Sequence, residues 1–463
     1  MKLLAKILLV VCVVAIAFAV LALLVMRNGG RLLAQESVTL SPAPPALADS
    51  GPAPALPEPP PGAIVFDLKY RPETGAKDDI QYYSYWGFGG SHVPNEPFLQ
   101  AVHKRAKKVQ AVDNSMLPGR QRAAVEYEGK KVLAFYFDLN ADGKLTDNER
   151  ILPTRKVGEN GVDFITPDFT LKTEGGREIK FRVALRAEFH GENKEPSCMW
   201  SPACVLEGKS TINGEPARMV LFADGFSGGF DHFGSSSCAL LVGDAAGASQ
   251  EYLPRETLSR LVWCERQFYR LKLEGKRSSG HPARAVLTKD TSPLGGLAIK
   301  LASTNALQTA AMYLSLVGAN DSEICFNLLD LKDKLPVGAY DLRRGTLGYG
   351  EKSSDEWQTR FSEGPTVRLA ADKQTEVTLG QPTLAIRAVN EQERFGADAK
   401  EATTFKKGAR IFLEPRIVGK NKEVLTGFSR AGRNSPQRDS TPPKVAITAS
   451  DGKQVLAQTM QYG

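Results

Sequence analysis

Six residues within one stretch of twelve carry the clearest chemistry in this chain. In DLNADGKLTDNE, residues 138–149, Asp138, Asn140 and Asp142 stand at every second position, Lys144 and Thr146 continue the spacing, and Glu149 closes it. The side chains of Asp, Asn, Thr and Glu offer oxygen, and none offers the nitrogen or sulfur that transition metals select. Ca²⁺ takes roughly six to eight such oxygens, and a loop of about twelve residues supplies them from alternate positions and from a closing bidentate carboxylate. Asp138, Asn140 and Asp142 would then give side-chain oxygens, Lys144 its backbone carbonyl, Thr146 its hydroxyl or a water, and Glu149 both carboxylate oxygens. Gly143 frees the sharp turn. The competing reading is a turn rich in Asp, Asn and Gly between two strands, held only by side chain to backbone hydrogen bonds.

The pattern resembles the loops of EF-hands and dockerins over these residues alone, and the flanks depart from both families. Before the loop, KVLAFYF at 131–137 is a continuous β-branched and aromatic run without helical spacing, which reads as a buried strand. After it, only Arg150, Ile151 and Leu152 precede Pro153, too short a run for the exiting helix of an EF-hand. Dockerins carry two such loops, each leading into a helix, so that pattern also fails. The expectation is therefore strand, calcium loop, strand, in a form that resembles isolated loops of bacterial extracellular proteins. An ion there would stiffen a β-connection rather than open a helix pair.

A weaker second copy follows. NGEPARMVLFADGFSGGFD, 213–231, can be laid over EGKKVLAFYFDLNADGKLTD, 128–147, with Gly214 on Gly129, Asp224 on Asp138 and Gly229 on Gly143. Phe226, Gly228 and Ser235 stand where the ligands Asn140, Asp142 and Glu149 stand, so the copy keeps the turn and loses the ion. Related sheets or two halves of a sandwich would follow from such a repeat. GFSGG within it also fits G-x-S-x-G, which makes Ser227 a candidate hydrolase nucleophile with His232 or His281 as base. That motif needs a strand entering and a helix leaving, whereas FDHFGSSSCALLVG leaves here without helical spacing. No HExxH, phosphate loop or paired-glycine dinucleotide motif occurs.

The elements that would carry these loops begin beyond an anchor. Residues 7–26 are twenty apolar residues without a charge, flanked by Lys2, Lys6 and Arg27, long enough to span a bilayer as a helix. A cleavable signal sequence competes, but the apolar run exceeds the usual h-region and no small-x-small site follows Met26. Either reading exports the rest, leaving the bulk of the chain periplasmic or extracellular. Lys2 and Lys6 against Arg27 and Arg31 leave the orientation open on charge alone. The Pro and Ala tract at 41–62 cannot build a core and favours extended backbone, which suits a semi-rigid spacer.

The net charge of +7 is spread along the chain, with basic clusters at Lys104, Arg105, Lys107 and Lys108 and at Arg430, Arg433 and Arg438. Such clusters suit anionic envelope polymers or lipid headgroups, although solvated surface is their commoner role, and without a reader motif nucleic acid is not expected as a partner. Of six cysteines, Cys12 lies in the apolar run; Cys198 with Cys204, and Cys238 with Cys264, are possible disulfides that would leave Cys325 over. Their spacings match no zinc site.

About 400 residues remain for folded domains. AIVFDLKY at 63–70 reads as the first strand, and strands flank the TEGGRE turn at 169–171 and 179–185. The aromatic segment 81–90, with Trp86, could line a carbohydrate or peptide surface, although core packing is the commoner role. Phe98, Val102, Ala106 and Val109 fall at helical spacing over 96–109. From Gly295 short strands alternate with turns. Among them LPVGAYDLR, 335–343, resembles a strand of prealbumin-like and carboxypeptidase-regulatory-like β-sandwiches; the resemblance implies a turn at Pro336 and Gly338 into a strand that buries Tyr340 and Leu342. Residues 427–443, rich in Arg, Ser and Pro, read as a surface loop.

These readings give a mainly β chain with an N-terminal transmembrane helix, a proline-rich spacer and tandem β-sandwich-like domains. The expected divisions are anchor or signal sequence 1–30, spacer 31–62, a β-rich region 63–290 with the calcium loop and its degenerate copy, a prealbumin-like sandwich 291–382, and a small C-terminal β-domain 383–463. The function expected is non-enzymatic binding or scaffolding at the cell envelope, of polysaccharide or another envelope protein. A serine hydrolase using Ser227 and a calcium-dependent adhesin are the alternatives.

Overall fold

β-Branched and aromatic runs fold as strands throughout the computed structural model, which is mainly β with several sheets. It describes residues 56–73, 86–88, 102, 108–112, 121–157, 159–173, 176–191, 195–223, 229–247, 256–275, 280–302, 308–328, 334–350, 357–390, 411–430, 444–448, 452 and 454–459. The chain divides into two units, Met1–Ala55 and Leu56–Gly463, and the described residues belong to the second. The anchor, most of the spacer, Ser227, and most of the segments 81–90 and 96–109 lie outside the described residues. Among the described residues no helix is long and apolar enough to cross a membrane.

The first strand of the sequence reading breaks at Leu68. Ile64–Asp67 pairs with Arg284–Lys289, joining a sheet completed by Gln267–Glu274 and Leu261–Cys264. Lys69–Pro72 joins a different sheet, with Cys204–Ile212, Glu215–Phe222, Ser237–Val242 and Glu256–Thr257. Strands that switch sheets make the corners between layers. At this corner Gly208 is required, because a Cβ there would lie 2.8 Å from the Cβ of Phe66. The second expected strand breaks in the same way: Glu178–Phe181 forms a hairpin with Phe169–Lys172, and Val183–Glu188 enters a five-stranded sheet with Ser197–Pro202 and Gly161–Ile165.

A fourth sheet, in the order Val109–Ala111, Ala123–Glu128, Lys131–Phe137 and Arg150–Ile151, carries the loop 138–149. Val109 is thus in a strand rather than at the end of a helix, while Val102 is helical and packs into the same small cluster as Val109 and Ala111. All four sheets and the hairpin contribute to one core centred on Trp200, which is 1% exposed. Phe135 and Phe137 meet its ring at centroid distances of 5.3 and 6.0 Å, and Phe169 and Phe181 extend the aromatic cluster.

The second core, around Leu316, Leu342, Leu347 and Leu379, holds an eight-stranded sheet and a smaller sheet in which Leu294–Ala302 and Gln374–Gly380 run parallel. Tyr340 and Leu342 are buried, and the Tyr340 hydroxyl donates to the Pro336 carbonyl at 2.8 Å. Trp357–Phe361 pairs with Val424–Arg430, so Thr383–Asn390, Ile411–Val418 and Val424–Arg430 belong to the same sheet as the strands before residue 382. Residues 427–430, expected as loop, are therefore strand; 431–443 lie outside the described residues.

Cys198, Cys204, Cys238, Cys264 and Cys325 are buried free thiols, so neither expected disulfide is formed. Cys198 and Cys204 sit on strands of two different sheets, which holds them out of a shared short loop. Burial pushes the thiols of Cys198, Cys204 and Cys238 up to about 12.

Truncating the centre of the first core, Trp200→Ala, is expected to cost about 3–5 kcal/mol in denaturant unfolding. Trp357→Ala, at a site 44% exposed, is expected to stay within about 1 kcal/mol of the parent.

Candidate metal loop and its surroundings

Lys131–Phe137 is buried on both faces. Phe135 and Phe137 enter the Trp200 core, while Ala134 and Tyr136 pack with Leu145, Ala124 and Ala111 in a second, smaller cluster. This is why the run is continuously apolar instead of alternating. The strand ends directly in Asp138, which is 0% exposed. After the loop the chain returns as an antiparallel neighbour, Phe135 opposite Ile151 and Tyr136 opposite Arg150. The loop therefore spans one β-connection, and Leu145, 1% exposed, pins its middle to the small cluster.

Within the loop the oxygen-bearing side chains turn inward onto backbone amides. Asp138 Oδ1 accepts from the Asp142 N–H at 3.1 Å and Oδ2 from the Gly143 N–H at 2.9 Å. Asn140 Oδ1 also accepts from Asp142, and Asp142 Oδ1 accepts from Lys144. Glu149 ties the two ends together: Leu139 N–H donates to Oε1 at 3.0 Å, and the N–H and hydroxyl of Thr146 both donate to Oε2 at 2.8 Å. Gly143 holds φ at +79° and Ala141 at +58°, the left-handed turns that shape the loop. The exit is a single 3₁₀ turn, Asp147–Glu149, in place of a helix.

Asp138 and Glu149, 0% and 4% exposed, have no Lys or Arg partner among the described residues. Burial pushes the Asp138 carboxyl up; the amides of Gly143, Arg122 and Asp142 pull it down, the Glu149 charge pushes it up again, and the net direction is upward. The donor set is hard oxygen throughout, which suits Ca²⁺ and not a thiolate or imidazole metal. Among the described residues no group of three or more His, Cys, Asp or Glu side chains is gathered closely enough to hold a metal ion. The loop thus brings together Asp138, Asn140, Asp142, Thr146 and Glu149 through its own hydrogen bonds, with Lys144 donating its N–H to Asp142.

The strand aligned with Lys131–Phe137 in the expected second copy also follows a hairpin turn. Glu215–Phe222 is the second strand of a hairpin turned at Asn213 and Gly214, both at positive φ, as Lys131–Phe137 is of one turned at Gly129. Asp224, Phe226, Ser227 and Gly228 lie outside the described residues. Of the candidate bases, His232 has its ring against Gly229, where a Cβ would lie 2.4 Å from it. His281 is 2% exposed, with its Nε2 2.8 Å from the Lys180 carbonyl oxygen and its ring stacked on Tyr70. Burial lowers its pKa, so the ring packs as a neutral group.

Sequence reasoning passed over the network around that ring. Asp168 accepts from the Tyr70 hydroxyl at 2.8 Å and pairs with both Lys180 and Arg182 at 2.8 Å, while the Lys180 ammonium also lies 4.8 Å from the Tyr70 ring centroid. Arg177 grips Asp231 with two hydrogen bonds. Three elements are joined here: Lys69–Pro72, the hairpin Phe169–Phe181 and the segment leading to Arg284. The only local signal is the alternation of charge along 178–182, which marks a strand face without naming its partner.

No protein-family model, curated protein or solved structure matches the chain.

Gly143→Ala should cost about 1–2 kcal/mol, because no atom lies within 4 Å of the added Cβ and only the backbone conformation is penalised. Ala141→Gly should be neutral or stabilising, and denaturant midpoints of the two variants read the difference. Burial pushes the Asp168 carboxyl up, but bonds from Lys180 and Tyr70 and the charge of Arg182 outweigh it, so its pKa lies below 3.8. Its stabilisation is thus present above that value and lost as pH falls through the lowered one. Asp168→Asn should accordingly be less stable than the parent near neutrality, with the gap between their melting temperatures closing on acidification.

Proposed function

We propose that this chain is a membrane-tethered, exported β-protein that acts by binding or scaffolding at the cell envelope, with one Ca²⁺ stiffening its first β-region at residues 138–149. The observation that carries the calcium reading is the pair Asp138 and Glu149, two carboxylates 0% and 4% exposed in a loop of oxygen donors, without a basic side chain among the described residues to balance them. Burying ionised carboxylates together is costly, and a divalent cation between them replaces repulsion by attraction. Asp138, Asn140 and Asp142 would hold it by side-chain oxygens, Lys144 by its carbonyl, Thr146 directly or through water, and Glu149 by its carboxylate. The Thr146 hydroxyl, now on Glu149, would have to turn aside to free that oxygen for the ion.

The loop's place in the fold supports a structural ion instead of a switch. Its two ends are adjacent antiparallel strands in one core, and its exit is a single 3₁₀ turn, so there is no helix pair to open. Export is supported by the apolar run 7–26 and the proline tract that follows it. A hydrolase reading draws nothing from His281, whose ring is buried among Tyr70 and Phe230.

Thermal unfolding of the full-length protein in calcium and in chelator tests the ion. Calcium at ten times its dissociation constant should add about 1.4 kcal/mol, and Asp138→Asn combined with Glu149→Gln should remove that response. Identical unfolding of the parent in calcium and chelator would sink the calcium reading.

A further inference from the structure

The eight-stranded sheet of the second core buries Leu314, Leu342, Leu347, Phe361 and Leu425 on one face and turns its other face outward. Strand alternation assigns the outward residues. On Gly338–Gly350 a β-bulge breaks that alternation: Ser315 pairs with Arg344 and Leu316 with Leu342, so Arg343 is the extra residue, and both arginines are exposed. The neighbouring strands add two more. Arg360 of Trp357–Phe361 lies opposite Thr346, and Arg368 of Thr366–Leu369 lies opposite Ala339; both are exposed, while Phe361, Val367 and Leu369 beside them are buried. The four guanidinium groups therefore form a stripe on one face, about 20 Å long by strand rise.

The stripe is short of acid. Among the described residues Arg343, Arg344, Arg360 and Arg368 have no ion-pair partner, whereas Arg150, Arg177, Arg182, Arg186, Arg218 and Arg284 each hold a carboxylate. Asp341 is the one acid within these three strands, and it accepts a hydrogen bond from the Thr366 hydroxyl at 2.6 Å. Residues 338–350 and 357–370 are all described, so the chain neighbours of each arginine are accounted for. The connection 351–356, with Glu351, Asp355 and Glu356, leaves from Gly350, four residues beyond the Thr346–Arg360 pair and farther still from the other arginines. A planar guanidinium grips a carboxylate through two parallel bonds. Roughly one net positive charge falls every 7 Å of the stripe, sparser than a nucleic-acid strand with its phosphate about every 3.4 Å. Basic surfaces that dock on membranes add apolar wedges to their cations, but the outward residues of these three strands are polar or small. A chain of sugars with at most one carboxylate each matches both features. Thr346 and Thr426, on either side of Arg360, offer hydroxyl neighbours to its hydroxyls. Tyr313, opposite Thr346, is 39% exposed and borders a cleft of about 140 Å³ that Glu256, Trp263 and Phe326 also line, so open space lies beside its ring.

We propose that this face binds an acidic polysaccharide of the uronate type, with Arg343, Arg344, Arg360 and Arg368 on its carboxylates and Tyr313 against a sugar ring. The proposal deepens the reading of the chain as an envelope-binding protein, on which it rests. Calorimetric titration of the full-length protein with a mannuronate hexamer, in chelator, tests it. Saturable binding is expected, weakening as salt is raised, and the neutral counterpart maltohexaose should not bind. Arg344→Gln combined with Arg360→Gln should weaken the hexamer by about tenfold or more. Lys209→Gln combined with Lys289→Gln, which removes two exposed cations of the first region, should leave binding unchanged. Melting temperatures of both pairs should stay near the parent's, because all four sites are exposed. No saturation by the hexamer, equal binding of maltohexaose, or equal loss in the two pairs overturns the proposal, as does binding of phosphatidylglycerol vesicles without the hexamer. Chelator silences the calcium loop, and export is read separately from the cell fraction that holds the protein, so this proposal and the reading beneath it fail independently.

Discussion

The burial of Lys131–Phe137 on both faces is the constraint on which the first β-region depends. Its Phe135 and Phe137 fill the space around Trp200, and Ala134 and Tyr136 close the opposite side with Leu145. A strand held between two apolar clusters cannot slip by one residue without exchanging its two sets of side chains. That fixed register delivers Asp138 to the edge of the core with no exposed surface. The loop is then obliged to turn its own amides onto the carboxylate, because no water reaches it to do so.

The treatment of other acids makes this arrangement distinct. Asp163, 3% exposed, is shared by Arg155 and Arg186. Glu207 is shared by Arg71 and Arg218, Glu274 by Lys272 and Arg284, and Asp168 by Lys180 and Arg182. In each case one carboxylate draws in two cations, several of them from neighbouring strands, which satisfies more of its lone pairs than a single pair would. Asp138 and Glu149 are satisfied instead by backbone N–H groups and one hydroxyl. Charge is balanced on the sheet faces and left unbalanced in the loop.

The two cores are joined by chemistry of another kind. Phe268 and Leu261, from a sheet of the first region, pack into the second core beside Phe326 and Leu316. The aromatic contacts across the junction, Trp263 with Phe268 and Phe268 with Phe326, are tilted or edge-on.

Short-range physics in the sequence determined the β class, the strand 131–137 and the oxygen donors of the loop, because side-chain period and ligand spacing are set by neighbours a few residues apart. The turns at Gly129 and at Asn213 with Gly214, and the burial of Tyr340 and Leu342, belong to the same level. Tertiary structure alone decided the rest. Leu68 and Arg182 divide what read as continuous strands, since each half finds hydrogen-bond partners in a different sheet. Val109 entered a strand despite its helical spacing because Glu126 pairs opposite it. The cysteines stayed unpaired because bridging depends on Cβ geometry across sheets, which spacing along the chain does not encode. Glu256, Trp263, Tyr313 and Phe326 share a cleft only because strands remote in sequence meet there, and no local pattern carries the position of a distant partner.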